Sequence, residues 1–139
     1  MTTSASKDSH RESSRQRLQD DPCSVARALS DVGDWWSLLI VRQAMYGTRR
    51  YSDFRDQLGI ARNILVDRLA KLVDNGIFKK VDVGAHGQRY EYRLTDKGKD
   101  LFTVLVALRQ WGDRWNRRCL LYTSPSPRDL STSRMPSSA

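Results

Sequence analysis

Apolar side chains recur at helical spacing through a central block of the chain, while both flanks are nearly without them. Over 23–32, Val25, Ala26 and Leu29 share one helical face and Gly33 is a natural stop, which predicts a short first helix. Asp34 can cap a second helix over 35–45, whose WWSLLIV run is apolar nearly all round and must be buried. Ser52 is the expected cap of a third helix ending at Leu58, with Tyr51, Phe54 and Leu58 facing inward and Gly59 at the turn. A fourth helix over 61–75 repeats Leu65, Leu69, Leu72 and Val73 along one face and stops at Gly76. That stripe leaves Arg62, Asn63, Val66 and Asp67 on the other side, near the helix start, where Arg and Asn can reach base edges or phosphates.

After Gly76 the period changes from helical to extended: IFKKVDV, the turn-prone GAHGQ, then RYEYRLT. The spacing predicts a hairpin whose second strand sets Tyr90, Tyr92 and Leu94 against Arg89, Glu91 and Arg93. Lys79, Lys80, Arg89 and Arg93, with His86 and Gln88 at the tip, make a projecting basic element able to touch a phosphate backbone. Taken alone, such a hairpin also fits an ordinary solvated surface.

A last helix is expected from Thr95, as its N-cap, to about 116. In it Leu101, Leu105, Leu108, Gly112 and Trp115 follow spacings of four, three, four and three, the seam of a coiled coil. Val104 and Trp111 widen this seam beyond what so small a domain buries internally, which points to dimerisation through Leu101, Leu105, Leu108, Trp111 and Trp115, with the first helix assisting. The alternative is that the seam closes the core of a monomer.

The flanks differ in kind. Residues 1–22 are rich in Ser, Arg and Asp and offer no apolar face, so a disordered arm is expected there. Residues 117–139 hold three of the four prolines and many serines; a disordered tail is expected, and its wording resembles translated vector read-through more than a natural C-terminus. The folded domain is therefore placed at 23–116, as a mainly α fold with a small β-hairpin.

Composition narrows the function. The 139 residues carry 24 Lys and Arg against 16 Asp and Glu, a formal net charge of +8. Residues 1–22 supply four basic and four acidic groups and the tail four and one, which leaves sixteen against eleven in 23–116 and still favours a polyanionic partner. The absence of a run of about 18 apolar residues, and of a signal-type stretch, predicts a cytoplasmic protein with no membrane partner. Cys23 and Cys119 lie too far apart in sequence for a disulfide scaffold or a paired-cysteine zinc site, and neither metal nor cofactor is expected. With only His10 and His86, and no carboxylate pair, phosphate loop or nucleophile elbow, an enzyme is not expected.

Three helices, a glycine turn into an Arg/Asn-led helix, and a basic hairpin follow one another in the order of a winged helix-turn-helix with a long C-terminal dimerisation helix. The segment from CSVARAL through GDWWSLLI, RRYSDF and IARNILVDRL to EYRLTDKG closely resembles the HxlR-type bacterial transcription regulators, over about residues 23–116. Ser24 stands where proline is common in that family, and Asp34 and Trp36 vary the usual Gly-Lys-Trp neighbourhood; neither departure touches DNA-facing positions. The resemblance implies a homodimeric repressor or activator whose two recognition helices enter successive major grooves of double-stranded DNA about 34 Å apart, on an inverted repeat. Under that reading Arg62, Asn63 and Arg68 contact bases or phosphates, Arg49 and Arg50 hold the backbone ahead of the third helix, and Lys80, His86 and Arg89 hold it from the wing.

Cys23 begins the first helix, where free backbone N–H groups and Arg27 lower a thiol pKa. In several members of the family a cysteine here senses oxidants or electrophiles, so Cys23 is the candidate redox switch; the alternative is a small packing thiol. Trp35, Trp36, Trp111 and Trp115 could stack a small aromatic effector or serve only as core and interface anchors. A rival from another class is a winged-helix protein-interaction module, toward which the acid Asp67 on the fourth helix points.

Overall fold

The computed structural model describes residues 3–87 and 89–116. It comprises two compact units, one running to Phe102 and one beginning at Thr103. The first unit holds α1 (Thr3–Gln19), α2 (Ser24–Val32), α3 (Trp35–Met45), α4 (Tyr51–Leu58), α5 (Arg62–Asp74), β1 (Phe78–Asp82), β2 (Tyr90–Leu94) and α6 (Asp96–Lys99). The described part of the second is α7 (Phe102–Trp115), which starts on the last residue of the first. None of the described helices is long and apolar enough to cross a membrane.

Helices α3, α4 and α5 enclose the core because their apolar stripes meet. Ile40 and Val41 from α3, Phe54 from α4, and Leu65, Leu69 and Leu72 from α5 are buried together with Ile60, Ile77 and Phe78. Burying such side chains contributes about 1.5–3 kcal/mol each before ordering entropy is counted. Phe78, the first residue of the hairpin, stacks edge-on against Phe54 at 6.2 Å and Tyr92 at 6.4 Å between ring centroids. One aromatic residue therefore couples α4 to both strands of the wing.

The chain reverses from α4 into α5 at Gly59, whose φ of 61° is left-handed and whose amide donates to the Arg55 carbonyl. The strands pair antiparallel, with Lys80 opposite Tyr92 and Phe78 opposite Leu94. This is the winged helix-turn-helix expected from the order of elements, mainly helical with one small hairpin.

Four local expectations are corrected. Residues 3–19 form a helix where their polar composition suggested a disordered arm. That stretch has no Gly or Pro, and its three Arg and two Gln, with Ala5, Lys7, Glu12 and Leu18, are good helix formers. Arg15 ties it down by donating from Nε to the Ser30 carbonyl (3.0 Å) and from Nη2 to Asn75 Oδ1 (2.7 Å). Helix α4 begins two residues earlier than expected, with Arg50 and not Ser52 at the cap position.

The last helix is interrupted at 100–101, giving α6 and then α7. Thr95 accepts from the Gly98 amide and donates to the carbonyls of Gly76 and Ile77, which holds this first turn against the start of β1. Gly98 makes the approach feasible, since a Cβ there would lie 2.2 Å from the Ile77 carbonyl oxygen. The Leu101 amide then bonds three residues back to Gly98, a tightened turn that ends the regular ladder. The fourth correction concerns β2, where all five residues are half-buried and the tyrosine face does not alternate with an open polar one. Glu91 is sheltered there by its ion pair with Arg93 at 2.9 Å. Residues 117–139, including Cys119 and the expected tail, lie outside the described residues.

Candidate nucleic-acid interface

Helices α4 and α5 both begin without a side-chain cap, on Arg50 and Ala61. Their first-turn amides therefore remain available, and a helix N-terminus with free N–H groups favours a phosphate. Arg50 and Arg62 stand beside these two ends and are exposed. The ends are drawn together by Tyr51, whose hydroxyl lies 3.5 Å from the Arg62 carbonyl as donor. Asn63 and Val66 are exposed on the same helix, opposite the buried Leu65, Leu69 and Leu72. A Val methyl can meet a thymine methyl, while Arg and Asn match guanine and adenine edges.

The wing joins this surface through the backbone. The Tyr92 amide donates to the Arg49 carbonyl at 2.7 Å, stitching β2 to the loop ahead of α4. Lys80 sits 4.3 Å above the Tyr90 ring and 5.9 Å from that of Tyr92, so its ammonium is steered by two aromatic faces. Arg49, Arg50, Arg62 and Lys80 are thus linked along one line of contacts. At the far end of the hairpin the Val83 amide bonds the Arg89 carbonyl at 2.7 Å, and the Gly84 amide bonds Asp82 Oδ1 at 2.9 Å. Arg89 and His86 are exposed at that end, away from the four linked cations. Gln88 lies outside the described residues.

Two residues of this surface were read only as core positions: Tyr51 and Tyr92. Burial, and Tyr51 beside it, push the Tyr92 phenol above its usual range, so it stays a neutral donor. The signal available in the sequence was a tyrosine where phenylalanine or leucine would pack as well, since a phenol at a core edge wants a polar neighbour.

Arg68 departs from its expected role. Its Nε lies 3.0 Å from the Asp34 carboxylate, off the axis of a directional hydrogen bond, and its Nη1 holds Asp67. The side chain runs along the flank of α5, toward the start of α3, and is held by both carboxylates. Asp34 also accepts from the Ser37 amide at 3.2 Å, so one carboxylate caps α3 and fixes α5 beside it. Burial alone would raise the Asp34 pKa; Arg68 and the amides of Ser37 and Trp36 outweigh it and hold the carboxyl below its ordinary value.

A lowered folded-state pKa stabilises the fold above the unfolded value, near pH 4, and that contribution is lost as pH falls through the folded value. Asp34→Ala is expected to cost about 1–2 kcal/mol at pH 7 by loss of the cap and of one of the two carboxylates that hold Arg68. In urea titrations the gap from the parent chain should shrink between pH 5 and pH 3; a constant gap would mean the carboxylate charge is not what matters.

Cys23 occupies the N-cap of α2 and is exposed. The amides of Ala26 and Val25, opposed weakly by burial and aided by Arg27, hold its thiol below the usual range. Arg27 is itself anchored, donating to the carbonyls of Asp21 and Pro22 and to Ser24 Oγ at 2.7, 2.8 and 2.9 Å. On α7, Val104, Leu108, Trp111 and Trp115 expose an apolar stripe at spacings of four, three and four, while Leu101 and Leu105 are half-buried. Val25, Leu29 and Trp35 are exposed in the first unit.

Comparison with known proteins gives a consistent picture. A family described as HxlR-like helix-turn-helix matches residues 31–119. An uncharacterized HTH-type transcriptional regulator of Mycobacterium tuberculosis is 48% identical over 92 residues, which cover 66% of this chain and 58% of that protein. The chain thus spans somewhat more than half the length of the mycobacterial relatives it matches. The crystal structure of PA1607, titled as a transcription factor, is 44% identical with a TM-score of 0.67, covering 79% of this chain and 74% of that one. The structure of the redox regulator HypR in its oxidized form is 25% identical with a TM-score of 0.59, covering 70% of this chain and all of that one.

Proposed function

The chain belongs to the HxlR-like helix-turn-helix family of transcriptional regulators, and from that premise we propose that it binds a specific duplex DNA sequence as a homodimer. The observation that carries the reading is the linked row of Arg49, Arg50, Arg62 and Lys80, spanning two uncapped helix starts and the wing. Phosphate contacts from Arg49, Arg50 and Lys80 fix the register on the duplex, and Arg62 and Asn63 read base edges in the major groove. Arg89 and His86 reach the backbone farther along from the wing tip. The stripe of Val104, Leu108, Trp111 and Trp115 on α7 supplies the dimer contact, and twofold symmetry then dictates an inverted repeat with half-sites about one helical turn apart.

Regulation is assigned to Cys23. Support comes from its exposure, its depressed thiol pKa at a helix N-terminus, and the likeness to a fold relative titled a redox regulator. Diamide would take two electrons and two protons from Cys23 and a second thiol, leaving a disulfide and a hydrazine. The test is fluorescence anisotropy on a duplex that the protein itself selects from a random-sequence pool, run reduced and after diamide, with Cys23→Ser alongside. Oxidation is expected to weaken binding at least about tenfold in the parent chain, with no change in Cys23→Ser. Equal weakening in both would remove the switch from Cys23, and failure to select any sequence would remove the regulator reading, leaving the protein-interaction module.

A further inference from the structure

Helix α1 precedes the family match, which begins at 31, and nothing in the helix-turn-helix reading requires it. It docks with little apolar burial: among its residues from 10 to 19, Arg15 is half-buried and Leu18 keeps 38% of its surface. What holds it is polar. Arg15 donates to the Ser30 carbonyl of α2 and to Asn75, the C-cap of α5. One turn toward the N-terminus on the same side of the helix is Arg11, because residues four apart share a face.

Arg11, Glu12 and Arg15 line a groove together with Asn63, Asp67 and Lys71, the edge of α5 that leads to its DNA-facing start. Helix α1 packs on α2, with Arg15 reaching the C-terminal end of α5 and Arg11, one turn back, lining the groove that Asn63 also lines. The acid in this groove is already matched: Asp67 is paired with Arg68 and, at 3.2 Å, with Lys71. Arg11 is exposed, so its charge is available to a partner, and Glu12 beside it is the one acid that α1 adds to the groove. Between 3 and 19 the helix carries Lys7, Arg11, Arg15 and Arg17 against Asp8 and Glu12.

We propose that α1 is a second DNA-contacting element, held against α2 and the C-terminal end of α5 by Arg15 so that Arg11 meets the phosphate backbone beside the groove that Asn63 enters. The proposal rests on the DNA-binding reading above and extends it to a segment outside the matched family region. Arg11 supplies a sequence-independent contact, and Arg15 is the positioning residue. Such a contact adds to affinity and to its salt dependence while leaving sequence preference unchanged.

The experiment measures the affinity of the full chain for the selected duplex from 50 to 300 mM KCl, for the parent chain and for Arg11→Ala, Arg15→Ala and Arg62→Ala. Arg11→Ala is expected to reduce the slope of log affinity against log salt by about 0.9 for each protomer, with the same preferred sequence. Arg15→Ala should do the same by releasing the helix, and the thermal transition of Arg11→Ala should match the parent's. An unchanged slope in Arg11→Ala, or tighter binding in either α1 variant because the helix covers α5, would overturn the proposal. If Arg62→Ala loses selective binding while the α1 variants keep the parental slope, the fault lies with this inference; if Arg62→Ala binds as the parent does, it lies with the DNA-binding reading itself.

Discussion

Replacing Arg62 and Asn63 together by alanine is expected to abolish sequence-selective DNA binding and leave the fold intact. Each good base contact is worth about 1–3 kcal/mol of discrimination, so the pair should lower affinity for the selected duplex at least about thirtyfold per protomer. Affinity for an unrelated duplex should fall much less, because Arg49, Arg50 and Lys80 still hold phosphates. Both side chains are exposed on the first turn of α5 and neither supports the core. The melting temperature is therefore expected to stay within a few degrees of the parent's, as for surface substitutions of within about 0.5 kcal/mol. Anisotropy on the two duplexes beside a thermal melt checks all of this. Equal loss on both duplexes would reassign Arg62 to the phosphate set.

Phe78→Ala is expected to produce the largest loss of stability in the chain. The side chain is 1% exposed and meets Phe54 and Tyr92 edge-on. Truncating a buried phenylalanine costs about 3–5 kcal/mol, of a total for a domain of about 5–15. For a folded region of this size that corresponds to a fall in melting temperature of roughly 15–30 °C. The position also makes a prediction about function, because Phe78 begins the wing and Tyr92 is bonded to Arg49. A residual folded population should therefore bind DNA with a weakened phosphate term as well as reduced stability. Chemical denaturation with tryptophan emission as the signal measures the first effect, and a loss below 1.5 kcal/mol would contradict the packing described.

How much of this was legible in the sequence depends on which force decides each element. The bounds of helix α3 were read to the residue, because Asp34 supplies a cap and Ile40 and Val41 must be buried, but Trp35, expected to be buried with the rest of the WWSLLIV run, is exposed at the helix start. The core stripe of α5 was equally plain, since Leu65, Leu69 and Leu72 repeat at one helical spacing and are all buried. The exposure of Asn63 follows from that stripe by geometry, whereas Arg62, three residues before Leu65 and on the same face, is exposed where it begins the helix.

Long-range polar bonds were not legible. Helix α1 has no apolar period, and what places it is one arginine reaching Ser30 and Asn75, partners 15 and 60 residues away. Arg68 looked like one more basic group on the recognition helix, but its partner Asp34 lies in another element. The break between α6 and α7 was hidden for the same reason. Gly98 in an otherwise helical pattern signals only a weakened helix, while its close approach to the Ile77 carbonyl exists only once the hairpin is folded. Tyr51 and Tyr92 carried a faint signal, their hydroxyls, which a hydrophobic period does not weigh.

The central claim is that the row of cations across the starts of α4 and α5 and the wing reads a specific duplex. The most direct measurement is repeated selection from a random-sequence duplex pool by the full chain and by the Arg62→Ala, Asn63→Ala double variant, each followed by sequencing of the bound fraction. The account predicts that the parent chain enriches an inverted repeat with half-site centres about one helical turn apart, and that the double variant enriches none. A parent chain that binds the pool without enriching any sequence, or a double variant that enriches the same repeat, would contradict it.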